Sequence, residues 1–337
     1  MSTSLPEGLS IDRHLPADFL ASSLRADALR GLSAEPKWLP PKWFYDQRGS
    51  ELFEEITRLP EYYPTRAERE ILTEQAGAIA AATGARTVIE LGSGSATKTR
   101  LLLDALRDRG TLRRYVPVDV SESALAESGG ALLERYPGLA VQAIVGDFEH
   151  GLPQLAPDSG PRLVVFLGGT IGNLPPAERH AFFGALRAGL GEQDALLLGT
   201  DLVKDPATLV AAYDDAAGVT AQFNKNVLSV LNRELGADFD LGAFEHVAVW
   251  DPDAEWIEMR LRSTAAQTVK VPGIDLAATF AAGEEMRTEI SAKFRRPSIE
   301  AELAAAGFAL REWWTDPGSR FALSLSVPVG PDQNVPR

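Results

Sequence analysis

The sequence contains no cysteine, which removes several kinds of chemistry at once. Without thiols there is no disulfide framework, no cysteine nucleophile and no cysteine-ligated metal. Histidine is scarce as well. The four are His14, His150, His180 and His246, and none has the spacing of a zinc-binding pair, so no metal site is expected. No apolar run reaches the roughly 18 residues that a membrane-spanning helix requires. The stretch MSTSLPEGLSIDRHLPADF has neither a basic start nor a continuous apolar core, so it does not read as a secretory signal. Basic residues are outnumbered, 33 against 47 acidic, for a formal net charge of -14. Such a surface repels polyphosphates, and nucleic acid is not an expected partner. These absences lead us to expect a cytoplasmic protein acting on a small molecule, away from membranes, with nothing demanding more than a monomer.

What is present suffices for a large core: 337 residues, 45% of them apolar. Five short apolar runs stand out: TVIEL (87–91), YVPVDV (115–120), VQAIV (141–145), LVVFL (163–167) and ALLLGT (195–200). Helix-compatible stretches lie between most of them, which predicts a parallel sheet with helices on both faces. Ahead of them we expect helices over 14–31, within GSELFEEITRL and over 66–82, with an irregular aromatic segment at KWLPPKWFYD. After residue 203 the alternation stops. Residues 206–235 read as helical, and HVAVW, WIEMRLRS and QTVKV read as strands of a meander. SIEAELAAAGF reads as a helix, and LREWWTD and FALSLSV as the last strands of the sheet. The expected class is α/β: a Rossmann-like sheet with an inserted α+β accessory domain. The nucleotide domain takes 66–202 plus 293–330, the accessory domain 14–65 plus 203–292, and 1–13 and 331–337 are loose termini.

The stretch ELGSGSATKT (90–99) follows the first strand and resembles a nucleotide loop. A P-loop of the form GxxxxGK[ST] starting at Gly92 needs glycine at position 97, where Thr97 stands. A dinucleotide loop of the form GxGxxG fails at the same place, where its third glycine allows close helix–strand packing and room for a pyrophosphate. S-adenosylmethionine has no phosphate and does not need that glycine. It does need an acid after the second strand for its ribose hydroxyls, and Asp119 stands there. A further acid with an apolar neighbour should meet the adenine, and Asp147 with Phe148 supplies that pair. Read alone, Asp119 and Asp147 also suit helix N-caps. Lys98 suits either the cofactor carboxylate or a solvated helix position.

Longer stretches carry a resemblance. PPKWFYD, LPEYYPTR, LVVFLGGTIGNL, LGTDLVKD, AYDDAAGVTAQFN, AGEEMRTEISAKF and WWTDP resemble the bacterial L-histidine N-alpha-methyltransferases of ergothioneine biosynthesis, over about residues 20–328. The resemblance implies a class I methyltransferase fold and S-adenosylmethionine as methyl donor, with S-adenosylhomocysteine as product. It implies that the α-amine of L-histidine is methylated three times to hercynine. It assigns Tyr45, Gly92, Lys98, Asp119, Asp147 and Phe148 to the cofactor. It assigns Tyr62, Asn173, Tyr213, Met259, Glu289 and Ser291 to the substrate, with Asn173, Tyr62 and Tyr213 nearest the chemistry and Met259 lining the imidazole pocket.

The substrate residues make physical sense. In an extended RTEISAKF, Glu289 and Ser291 share a face roughly 6.6 Å apart. A carboxylate and a hydroxyl so placed can bracket imidazole, whose two ring nitrogens each need a partner when buried. On pattern alone, the same residues also fit a solvated strand face. Asn173 can hold a carboxylate or amine through its amide, or merely stabilise a turn before Pro175. Tyr62 and Tyr213 offer hydroxyl donors, or are packed aromatics. Three rivals stay open at this point: a methyltransferase for another amine, a cofactor-binding sensor without turnover, and a methyltransferase for a macromolecule, which the acidic charge disfavours.

Overall fold

The structure, a computed structural model, describes residues 6–94, 96–147 and 160–330. By its internal contacts the chain divides into two compact units: Met1–Pro16, Ala67–Leu202 and Phe294–Arg337, then Ala17–Arg66 and Val203–Lys293.

The first unit is built on a sheet of β1 (Leu9–Arg13), β2 (Thr87–Leu91), β3 (Arg114–Asp119), β4 (Ala140–Val145), β5 (Arg162–Phe166), β6 (Ala195–Asp201), β12 (Phe308–Thr315) and β13 (Phe321–Pro328). Their order is β1-β4-β3-β2-β5-β6-β13-β12. The strands from β1 to β6 pair in parallel. β13 and β12 add antiparallel hydrogen bonding at one edge. β2 and β6 are buried along their whole length, as central strands covered on both faces must be. Helices α3 (Pro64–Thr83), α4 (Arg100–Asp108), α5 (Glu122–Arg135), α6 (Pro176–Ala188) and α9 (Arg296–Ala305) complete the elements around it. α4 shows why: Leu102, Leu103 and Leu106 fall on one stripe and are all buried. Its core runs through Ile71, Ile79, Val88, Leu103, Leu163, Leu197 and Phe321.

The second unit contains α1 (Phe19–Leu32), α2 (Gln47–Ile56), α7 (Pro206–Tyr213) and α8 (Val219–Leu235). Its strands are β7 (Phe244–Asp251), β8 (Trp256–Ser263), β9 (Gln267–Val271), β10 (Leu276–Phe280) and β11 (Glu285–Ala292). β8 lies between β7 and β11 in an antiparallel sheet, while β9 and β10 form a separate pair. A second core gathers Leu24, Phe44, Leu52, Phe223, Leu228, Phe244, Leu261 and Met286.

Several expectations need correction. The leader is not loose throughout: Leu9–Arg13 pairs with β4 residue for residue. Gly129 on α5 leaves the space for it, since a Cβ there would come within 2.9 Å of Leu9. The first helix starts at Phe19 rather than at residue 14. The long helix expected over 206–235 is two helices, because Asp215 accepts from the N–H groups of Val219 and Thr220 and so starts α8 afresh. QTVKV does not continue the meander. The free edge of β8 is taken by β11, so β9 pairs with β10 instead.

Gly49 tests the packing near Tyr45. An added Cβ would lie 1.6 Å from the Phe44 carbonyl oxygen and 2.9 Å from Asn226 Nδ2. At exposed Gly77 in α3 it would meet nothing within 4 Å. Gly49→Ala should therefore cost about 1–3 kcal/mol, whereas Gly77→Ala should gain up to ~1 kcal/mol from helix propensity. Thermal melts of the two variants check this, and equal melting temperatures would contradict it.

Candidate active site

Open parallel sheets bind ligands beyond the carboxyl ends of their strands, where the winding reverses. In the first unit the chain winds from β2 to β3 and β4 in one direction and to β5 and β6 in the other, so the reversal falls between β2 and β5. The segments leaving β2, β3, β4 and β5 at that end carry Gly92, Asp119, Asp147 and Asn173.

The segments after β2, β3 and β5 have a defined brace. Gly92 and Gly94 adopt positive φ, 66° and 47°. A Cβ at Gly94 would touch nothing within 4 Å, so glycine serves there for its backbone angle rather than its size. Behind the loop, buried Glu90 accepts from the hydroxyls of Thr99 and Tyr115. Burial pushes its carboxyl up to about 7, although both hydroxyls and Lys98 pull the other way. Asp119 accepts from the N–H of Ser121 at 3.0 Å and of Gly94 at 3.4 Å. Burial raises its carboxyl, and those N–H groups oppose the rise. Asn173 ends a 3-10 turn, Thr170–Asn173, that follows two left-handed glycines, Gly168 and Gly169.

Lys98 is not a simple solvated residue. It pairs with Glu68 of α3, whose side chain is fully buried. The other Glu68 oxygen accepts from the Gly168 N–H at 2.8 Å. Gly199 makes room for it, since a Cβ there would lie 2.3 Å from Glu68 Oε1. Glu68 thus ties the loops after β2 and β5 together. Nothing local in the sequence marks it.

In the second unit β11 carries Glu289 and Ser291, and Met259 of β8 stands directly opposite Glu289. Tyr213 ends α7, and its hydroxyl lies 2.7 Å from Ser291 Oγ. Buried Lys293 donates to both, at 2.9 Å to Tyr213 Oη and 2.8 Å to Ser291 Oγ. Lys293 shares the alternating face of RTEISAKF, but only the fold reveals its partners. Glu289 is half-buried, and desolvation pushes its carboxyl up to about 7 against the pull of Lys293. An aromatic chain completes the group. Tyr45 packs edge-on to Phe53 and Phe223 at 5.5 and 5.4 Å, and Tyr62 meets Phe53 at 6.1 Å and Tyr213 at 6.4 Å. Tyr45 keeps 46% of its surface exposed. Yet its phenol is pushed upward by desolvation first, then by Glu289 and Tyr213.

The predicted residues therefore form two groups. Gly92, Lys98, Asp119, Asp147 and Asn173 lie in the first unit, and Tyr45, Tyr62, Tyr213, Met259, Glu289 and Ser291 in the second. Phe148 lies outside the described residues. Among the described residues no cluster of acids and histidines could hold a metal ion, and no helix is long and apolar enough to cross a membrane.

The first group fits a particular kind of ligand. Ser93 Oγ is buried in the loop without a hydrogen-bond partner among the described residues. A polar loop, an acid after β3 and no third glycine suit a nucleoside that carries no phosphate. An open parallel sheet with this loop chemistry is the architecture of S-adenosylmethionine-dependent methyltransferases. Residues 24–328 match the family model described as "Histidine-specific methyltransferase, SAM-dependent", and the chain belongs to that family. It is 58% identical to a histidine N-alpha-methyltransferase of Mycolicibacterium smegmatis, over 95% of this chain and 99% of that one. Identity to the protein of the same name from Mycobacterium tuberculosis is 56%, with the same shares covered. Ergothioneine biosynthesis protein 1 of Neurospora crassa is 31% identical over 86% of this chain and 33% of that protein.

The raised Glu289 carboxyl has a consequence for stability. An ordinary glutamate in the unfolded chain titrates near 4.5, while folded Glu289 holds its proton to about 7. The folded state then binds more protons between those values, so the Glu289 contribution to stability is lost as pH rises through that window. Glu289→Gln cannot ionise and escapes the loss. Its melting temperature relative to wild type should climb from pH 5 to pH 7 and level off above about 8. A gap that stays constant with pH would contradict a desolvated carboxyl.

Proposed function

We propose that this protein transfers methyl groups from S-adenosylmethionine to the α-amino nitrogen of L-histidine, three in succession, giving hercynine as the first step of ergothioneine synthesis. The observation that carries the reading is the arrangement on β11. Glu289 faces Met259 across the strands, and two residues on, Ser291 has its hydroxyl held by Tyr213 and Lys293. Imidazole presents one N–H donor and one acceptor nitrogen. Glu289 accepts from the first, and Ser291 serves the second. A ring without nitrogens would leave Glu289 desolvated and unpaired, at a cost of about 1–3 kcal/mol. Met259 gives the ring an apolar wall. The names of the closely similar mycobacterial proteins support the same substrate.

In the first unit, Asp119 takes the ribose hydroxyls of the cofactor and Asp147 its adenine, with Phe148 over the ring. Gly92 lets the backbone approach, and Lys98, steadied by Glu68, faces the cofactor carboxylate. The bound cofactor supplies a methyl group already activated on sulfonium, so the contribution of the protein is proximity and orientation. Asn173 offers an amide donor and acceptor to the substrate amine or carboxylate, and Tyr62 a hydroxyl donor; Tyr213 donates to Ser291, which keeps the Ser291 hydroxyl proton for the ring nitrogen. Each transfer needs an unprotonated amine. A proton must therefore leave between methylations, carried by water or by a tyrosine hydroxyl. The surface charge of -14 goes with a small-molecule substrate rather than nucleic acid. The reading asks for no second subunit.

The test is to incubate the protein with S-adenosylmethionine and each of the twenty amino acids separately, then weigh the products. Histidine alone should gain three methyl groups. Trimethylation of another amino acid instead would contradict the Glu289–Ser291 reading. Cofactor binding without any methylation would make the protein a sensor. The single-turnover rate with histidine should rise through mildly alkaline pH as the amine loses its proton. A flat profile would rule out that limit.

A further inference from the structure

Three buried residues outside the substrate set connect its parts. His246 of β7 places Nε2 2.8 Å from the Tyr213 carbonyl oxygen and Nδ1 2.8 Å from Asn224 Nδ2 on α8. Asn224 Nδ2 is also 3.0 Å from the Arg260 carbonyl oxygen, and Asn224 Oδ1 accepts from Thr288 Oγ1 at 2.6 Å. Thr288 Oγ1 lies 3.0 Å from the Met259 carbonyl oxygen as well. Asn224 and Thr288 have no exposed surface, and the His246 side chain keeps 3%.

Chemistry sets the direction of the protons between Asn224, His246 and Tyr213, while the one Thr288 hydroxyl proton is shared between two acceptors, Asn224 Oδ1 and the Met259 carbonyl oxygen. Carbonyl oxygens only accept. Arg260 therefore requires the nitrogen of the Asn224 amide, which turns Oδ1 toward Thr288 and leaves the second N–H for His246. His246 Nδ1 then accepts, its proton sits on Nε2, and Nε2 donates to Tyr213. The ring is neutral and both its nitrogens are used. A second ring proton would set one donor against another. Burial opposes that proton too, holding the imidazole below its ordinary value although Asp214 and Asp215 pull upward; Lys225 adds to the lowering.

The register explains why Thr288 matters. Arg287 pairs with Arg260 and Glu289 with Met259, so Thr288 is an extra residue without a partner on β8. Such a bulge bends the strand and re-aims the side chains beside it. The hydroxyl of Thr288 pins that extra residue to α8 and β8, one position before Glu289.

We propose that His246, Asn224 and Thr288 form a positioning relay that aims Glu289 and holds the Tyr213 and Met259 backbones in register with it, and so sets selectivity for an imidazole substrate. The inference rests on reading Glu289 as the imidazole partner.

Thr288→Val removes the hydroxyl at nearly constant volume, and Thr288→Ser keeps it. With histidine and S-adenosylmethionine, Thr288→Val should raise the histidine KM about tenfold. Calorimetric affinity for S-adenosylhomocysteine should stay within about twofold, and Thr288→Ser should resemble wild type. A merely structural residue would weaken both ligands alike. Because Thr288 acts through Glu289, adding Thr288→Val to Glu289→Ala should change KM little further. Fully multiplicative effects would overturn the relay. So would a Thr288→Val histidine KM within about twofold of wild type when Glu289→Ala raises it. If Glu289→Ala itself leaves the histidine KM unchanged, the reading of Glu289 fails, and the relay with it. Should Thr288→Val not fold, Asn224→Asp keeps the shape but loses the donor to His246 and Arg260. It should raise the histidine KM in the same way, and an unchanged KM would overturn the proposal.

Discussion

Covering charged groups with protein is costly unless each finds a partner, and the second unit is organised around that constraint. β11 carries Glu289 half-buried and Ser291 buried, and buried Lys293 follows directly after it. Lys293 and Tyr213 satisfy Ser291, and the desolvated Glu289 carboxyl is left poised near neutral pH. A hydrogen-bonding ring laid against Glu289 relieves that desolvation, and a hydrocarbon ring does not. Met259 lies opposite Glu289 in the register, and Tyr45, Phe53, Tyr62 and Phe223 form a chain of aromatic contacts in the same unit.

The first unit meets the same constraint with buried acids that do find partners. Glu68 and Glu90 are buried acids behind the glycine loop, and each is tied to groups that shape it. Glu90 fixes Thr99 at the start of α4 and Tyr115 in β3. Glu68 fixes Lys98 and the Gly168 backbone. The loop is held by side chains where a dinucleotide loop relies on a third glycine. That is consistent with Thr97 at the position where both phosphate-binding patterns fail.

The sheet was largely legible in the sequence. TVIEL matches its observed bounds, and the four other apolar runs fall within about a residue of β3, β4, β5 and β6, because buried parallel strands are unbroken apolar runs. Leu9–Arg13 was missed because its pairing partner, β4, lies more than a hundred residues away. The break between α7 and α8 was missed because the Asp215 cap shows only in its partners. The site residues were named through family resemblance as much as through pattern. Glu289 and Ser291 shared a visible alternation, although the bulge at Thr288 that aims them was not visible. Glu68, His246 and Asn224 act through partners distant in sequence, and no local spacing announces such a contact.

The central claim is that Glu289 recognises the imidazole ring. It is tested most directly by the ratio of kcat/KM for L-histidine over L-phenylalanine, measured in wild type and in Glu289→Leu. The account predicts a large wild-type ratio that falls by about two orders of magnitude in the variant, through loss of histidine turnover and some gain with phenylalanine. A ratio that survives the substitution would place recognition elsewhere and contradict the account.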